Sequence, residues 1–136
     1  MWKDELAIRL NQEEGRKNKL YQDTVGKWTI GVGRNLSDRT ISEAVIDLML
    51  EEDIQMAITD IKKLIPNFDQ LSDNRKIVVT DMMFNMGYTT LSQFKNTLNL
   101  INHGHYEQAA TAMLQSRWAQ QVGQRAIKLA ELMKNG

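Results

Sequence analysis

The hydrophobic period of this chain changes twice, and those changes constrain the fold more than anything else in it. Residues 2–13 place Leu6, Ile8 and Leu10 on a polar background of good helix formers, and Gly15 then ends the run. From Trp28 the pattern is different. Trp28, Ile30 and Val32 alternate with Thr29, Gly31 and Gly33, beyond a turn at Asp23-Thr24-Val25-Gly26. A period of two around a glycine-containing turn predicts a small β-hairpin, with a third short strand near Asn35–Leu36. Helical spacing then resumes. Thr40-Ile41-Ser42-Glu43 fits a capping box, and Ile46, Leu50, Ile54, Ala57, Ile61 and Leu64 carry a long helix up to the stop at Pro66-Asn67.

The remainder reads as helices over Asp73–Met86, Thr90–Asn102, Tyr106–Gln115 and Gly123–Lys134, with a short turn near Arg117–Gln121. Gly87, His103-Gly104 and Val122-Gly123 supply the breaks. The expected fold class is α+β, mostly helical. Within a single domain over 1–136, a small β-containing lobe covers about 14–40 and a connecting helix about 40–65. A helical lobe covers about 66–136 and takes in the N-terminal helix. A crevice between lobes is the natural place for a ligand.

Length and composition narrow the classes. A chain of 136 residues holds one core and needs no metal or disulfide to stabilise it, and the absence of cysteine rules out thiol chemistry and Cys-based zinc sites. Seventeen basic residues balance 17 acidic ones, which argues against a generic nucleic-acid binder. The acids are unevenly spread: residues 38–60 hold seven against one arginine, a run that reads as the solvated face of a helix. No stretch approaches the ~20 apolar residues of a membrane span, and the charged start Met-Trp-Lys-Asp-Glu lacks a signal peptide's apolar core. Synthesis in the cytoplasm is expected, with no stable membrane association.

Weaker candidates fall away. His103 and His105 have no neighbouring acid or cysteine to complete a metal site. Gly31-Val32-Gly33 lacks the rest of a phosphate loop. The eight methionines read as core filler.

One segment could carry chemistry. Glu14 closes the first helix, Asp23 sits in the hairpin turn, and Thr29 lies on the second strand. A hairpin folding back would bring Asp23 and Thr29 together, facing Glu14 across a groove. Two carboxylates on one groove are what glycoside hydrolysis requires. One donates a proton to the leaving oxygen, and the other stays ionised and organises water. Glu14, on a helix expected to pack on the core, is the better acid. Asp23, among hydroxyls and backbone N–H groups, should stay charged. A surface glutamate and an ordinary turn aspartate fit the same spacing, so spacing alone leaves both readings open.

The segment resembles the signature of the T-even phage lysozyme family. Glu14, Gly15, Tyr21, Asp23, Thr24, Gly26, Thr29, Gly31 and Gly33 match at nine positions in register. Phe84-Asn85-Met86-Gly87 with Phe94, Thr97 and Leu98 is similar to the family's helical-lobe pattern, and Ser116-Arg117-Trp118 with Arg125-Ala126 to its C-terminal motif. The resemblance implies an inverting muramidase acting on peptidoglycan glycan strands as a monomer, without cofactor or metal. Glu14 would be the general acid, with Asp23 and Thr29 on the water. Such an enzyme reaches the wall from the cytoplasm once the membrane is breached. Asn35, Phe84 and Thr97 fall where the family touches sugar, and Arg125 where an arginine pairs with the catalytic glutamate. A wall-binding module without activity and a lytic transglycosylase are the competing readings. The intact Glu14, Asp23 and Thr29 count against the first, and an Asp and Thr placed to hold water against the second.

Three departures stand out. Arg34 replaces a family histidine and is expected to pair with Asp53, without the pH switch a histidine would give. The stretch from Arg34 to Asp53 is short, so part of the small lobe is missing. The zero net charge predicts weak electrostatic steering to an anionic wall.

Overall fold

The computed structural model describes all residues, Met1–Gly136. In order these are α1 (Trp2–Glu14), β1 (Lys17–Gln22), β2 (Trp28–Gly31), β3 (Arg34–Asn35), α2 (Glu43–Leu64) and a 3-10 turn at Phe68–Gln70. Then follow α3 (Asp73–Ser92), α4 (Lys95–Asn102), α5 (Tyr106–Leu114), α6 (Arg117–Val122) and α7 (Gln124–Asn135). This is the mostly helical α+β class expected from the hydrophobic periods. Backbone contacts divide the chain into Met1–Asp47 and Leu48–Gly136, with the division falling inside α2.

The first unit is one helix and a three-stranded antiparallel sheet in the order β1-β2-β3. Gly15 stops α1 at φ 75°, and its N–H reaches back to the Asn11 carbonyl. Tyr21 and Asn35 lie on either side of Thr29 in the strand register, so these three share one face. A register shift between Lys17 and Tyr21 marks an irregularity in β1. The alternation around Trp28 is real, but the buried side chain is the polar one: Thr29 is 4 % exposed and Trp28 47 %.

Two boundaries move from their expected places. Helix α2 begins at Glu43, not in the box from Thr40, because Ser42 is its N-cap: the Ser42 hydroxyl accepts from the N–H of Val45. The Thr40 carbonyl accepts from Arg34 and stays outside the helix. The second helix of the C-terminal region is shorter than Thr90–Asn102. The chain turns at Gln93-Phe94, and α4 starts at Lys95. The break at Gly87 is where the sequence places it, a φ of 82° that kinks α3 before helix resumes.

The second unit holds every buried apolar side chain of the protein, from Ala57 to Met133. Ile61, Val78, Met82, Met113 and Met133 are its most enclosed members. Half the methionines do fill core gaps, while Met1, Met49 and Met56 are exposed. Trp118 is buried and donates its indole N–H to Asn85 at 2.8 Å, satisfying the one polar atom that burial would strand. Arg75 caps the end of α7 through the carbonyls of Met133 and Lys134. Met113→Ala, at a site with no exposure, should cost about 2–5 kcal/mol of unfolding free energy, read from the urea midpoint.

Candidate active site

The turn between β1 and β2 is built around Asp23. Its Oδ1 accepts from the N–H of Val25 at 3.0 Å and of Lys27 at 2.8 Å. Its own N–H donates to the Lys27 carbonyl at 2.9 Å, and its carbonyl accepts from Gly26, whose φ of 82° closes the turn. Two N–H donors on one oxygen fix the orientation of the carboxylate. The second oxygen, Oδ2, accepts from no protein donor.

Two residues beyond Lys27, Thr29 is buried on β2. Its hydroxyl donates to the Lys27 carbonyl at 2.9 Å. The single hydroxyl proton is therefore committed, and what Oγ1 still offers is lone pairs.

Glu14 comes to the same sheet from the end of α1. Its carboxylate lies over Gly33 in the turn between β2 and β3, where a Cβ would stand 2.7 Å from Oε2. Gly33 also has a φ of 63°. The positive φ disfavours any larger residue, and a Cβ there would displace the Glu14 carboxylate, which gives the Thr-x-Gly-x-Gly pattern a physical reason. Glu14 is exposed and α1 buries none of its residues. Leu6, Ile8 and Leu10 are all open to solvent.

The supporting residues are placed as follows. Both polar ends of the Asn35 amide are already engaged: Nδ2 donates to Asp38, and Oδ1 accepts from the N–H groups of Ser37 and Asp38. Arg34 donates to the Thr40 carbonyl, within the first unit, and Asp53 lies exposed on α2 in the second. Arg125 is paired within its own unit. It grips Asp81 on α3 through Nε at 2.9 Å and Nη2 at 2.7 Å, because α7 and α3 pack together in the same unit. Phe84 is half exposed and lines a groove of the second unit with Ile54, Ile77, Asp81 and Arg125. Thr97 is 5 % exposed on α4, beside Ser116 and Ala112 in a shallow pocket.

Two residues of this constellation, Lys27 and Asp38, stayed unnoticed in the sequence. Asp38 was expected to belong to the acidic helix face, yet it precedes α2 and binds Lys27 Nζ and Asn35 Nδ2. The hydrogen bond from Asn35 first, and then Lys27, hold its carboxyl below the ordinary 3.8. The one sequence signal was its position two residues after a strand end, where an aspartate commonly closes a turn.

Comparison with known proteins places the chain in a family. The family model described as phage lysozyme matches residues 11–134, a span that includes Glu14, Asp23 and Thr29. The chain is 26 % identical over 160 residues to probable T4-type lysozyme 2 of Dictyostelium discoideum, covering 96 % of this chain and 94 % of that one. It is 31 % identical over 114 residues to the endolysin of Salmonella phage P22, covering 78 % and 76 %. It is also similar to the pre-baseplate central spike protein of Enterobacteria phage T4, at 26 % over 159 residues, but spans only 28 % of that protein.

Gly33→Ala should push the Glu14 carboxylate off the turn and cost about 1–2 kcal/mol for the left-handed backbone. A moved Glu14 carboxyl carbon resonance together with a lowered denaturation midpoint checks both effects. For Asp38 the folded value is the depressed one, so its stabilising contribution is complete above 3.8 and fades as pH falls through the lowered value. A carboxyl carbon titration by NMR should give a midpoint below 3.8.

Proposed function

Since the chain belongs to the phage lysozyme family, we propose that it is an endolysin that hydrolyses the β-1,4 bond between N-acetylmuramic acid and N-acetylglucosamine in peptidoglycan. Glu14 is the general acid, and Asp23 and Thr29 hold the attacking water.

The observation that carries this reading is the direction of the Thr29 hydrogen bond. The Thr29 hydroxyl gives its proton to the Lys27 carbonyl, and Asp23 keeps Oδ2 free. A water between them meets two acceptors and donates one hydrogen to each. Its lone pair is then left for the anomeric carbon. Asp23 takes up the proton as the C–O bond forms, while Glu14 delivers its own to the departing glycosidic oxygen. Proton count and charge balance: one carboxyl loses the proton that the other gains.

The acids rise from opposite ends of β2. Asp23 bonds to Lys27 at one end, and Glu14 lies over Gly33 beyond the other. Four residues of strand span roughly 13 Å at ~3.3 Å each. Anchors at opposite ends of the strand favour the wider separation of inversion over the ~5–5.5 Å of retention. Glu14 is open in the free protein, and a bound glycan strand lying across it supplies the exclusion of water that α1 does not.

Phe84 and Thr97 are proposed sugar contacts on the helical unit. The protein acts as a monomer, needs no cofactor, and reaches the wall after the membrane is breached. No helix is long and apolar enough to cross a membrane.

Turbidity clearing of permeabilised Gram-negative cells, with mass spectrometry of the fragments, tests the reading. The parent should clear cells and leave reducing muramic acid ends of inverted configuration. Glu14→Gln should lose about 10²-fold or more in turnover. Near-normal clearing by that variant would falsify the assignment of the acid. Anhydro ends would instead mean a transglycosylase, and binding without clearing a wall-binding module.

A further inference from the structure

The peptide group of Lys27 does three things at once. Its N–H holds Asp23 Oδ1 at 2.8 Å, and its carbonyl accepts both the Asp23 N–H and the Thr29 hydroxyl at 2.9 Å. The position of that one peptide therefore sets where the carboxylate stands and which way the Thr29 hydroxyl points. The first unit fully buries no apolar side chain, so directional hydrogen bonds carry more of the peptide's placement than apolar packing does.

The chain after β3 holds it instead. Lys27 Nζ lies 3.2 Å from each oxygen of Asp38. Asp38 Oδ2 also accepts from Asn35 Nδ2 at 3.0 Å, and Asn35 Oδ1 returns the favour to the Asp38 N–H at 3.1 Å. The neighbouring Trp28 is fastened from the same loop: its N–H donates to Ser37 Oγ at 2.8 Å, and its carbonyl accepts from the Leu36 N–H at 2.8 Å. Asn35 stands opposite Thr29 in the β2–β3 register, so the loop is tied to the strand at both ends.

We propose that Asp38 is a positioning residue for the hydrolysis: through Lys27 Nζ and the Asn35 amide it clamps the peptide that orients Asp23 and Thr29. This rests on the reading of those two as the water-holding pair. It also assigns Asn35 a structural task, since its amide is spent on the clamp and not left open toward sugar.

A solvent-exposed ion pair of this kind adds little to global stability. Misplacing a reacting group by about 1 Å costs as much as ~10²-fold in rate. The clamp therefore predicts a separation that a merely structural contact would not give. Asp38→Ala should lower kcat about 10-fold while KM and the melting temperature barely move, because a water held only for the transition state contributes nothing to binding substrate. Asp38→Asn keeps an acceptor for Asn35 and should retain part of the rate. In a Lys27→Met background the further loss from Asp38→Ala should shrink by at least half, since the two act through one peptide.

The amide resonances of Val25 and Lys27, both hydrogen-bonded to Asp23, provide a readout that needs no turnover. They should shift in Asp38→Ala. Unmoved amides overturn the clamp even if the parent enzyme proves inactive, in which case it is the muramidase reading that has failed. An unchanged kcat in an active parent background overturns it too, as does a fall in kcat matched by a fall in melting temperature.

Discussion

A single peptide group carries the geometry of the candidate active site. Lys27 donates to Asp23, and its carbonyl accepts from both Asp23 and Thr29. These bonds matter because of what the first unit lacks. Every fully buried apolar side chain lies in the second unit, between Ala57 and Met133, so the sheet strands depend more on hydrogen bonds than on an apolar core. Hydrogen bonds are directional and short-ranged, and each one here removes a specific freedom of the turn. A site made this way is precise only while its backbone is tethered. The loop from Asn35 to Asp38 answers that requirement, reaching the strand through Ser37, Leu36 and Lys27.

The two units solve different problems with different physics. The helical unit is held by apolar burial, with Ile61, Val78, Met82, Met113 and Met133 fully enclosed and the Trp118 indole satisfied by Asn85. Burial of this kind is non-directional and tolerant of local variation. The β-containing unit bears the acids and holds them by turns: Gly26 and Gly33 at positive φ and the Asx contacts of Asp23 and Asn35. Gly33 in particular is small where Glu14 needs the space, so two separate stretches of chain come into register by the absence of a side chain. Charge follows the same division. Arg125 and Asp81 pair within the helical unit, while Lys27 and Asp38 pair within the other.

Much of this was legible in advance. Helix periods located α1, the long α2 and the helices after Pro66, since apolar spacing reports which side chains must leave water. The nine-position motif singles out Glu14, Asp23 and Thr29 as candidates, because turn glycines and an Asx turn are written in residue types. Other features were not legible. The capping box at Thr40 looked sound, but Ser42 offered the same hydroxyl closer to the apolar run, and Arg34 held Thr40 outside. The Arg125–Asp81 pair between α7 and α3 has no signal in the sequence. Asp38 looked like one acid among seven.

Fold class, element order, family and the three candidate residues are written in the chain itself. All of these follow from local periods and local motifs. Tertiary structure decided the polarity of the Thr29 hydroxyl, the engagement of Asn35, the partners of Arg125 and Asp38, and the exposure of Glu14. Each of those depends on which strangers in sequence become neighbours in space, and a residue's identity does not say which donor will reach it first.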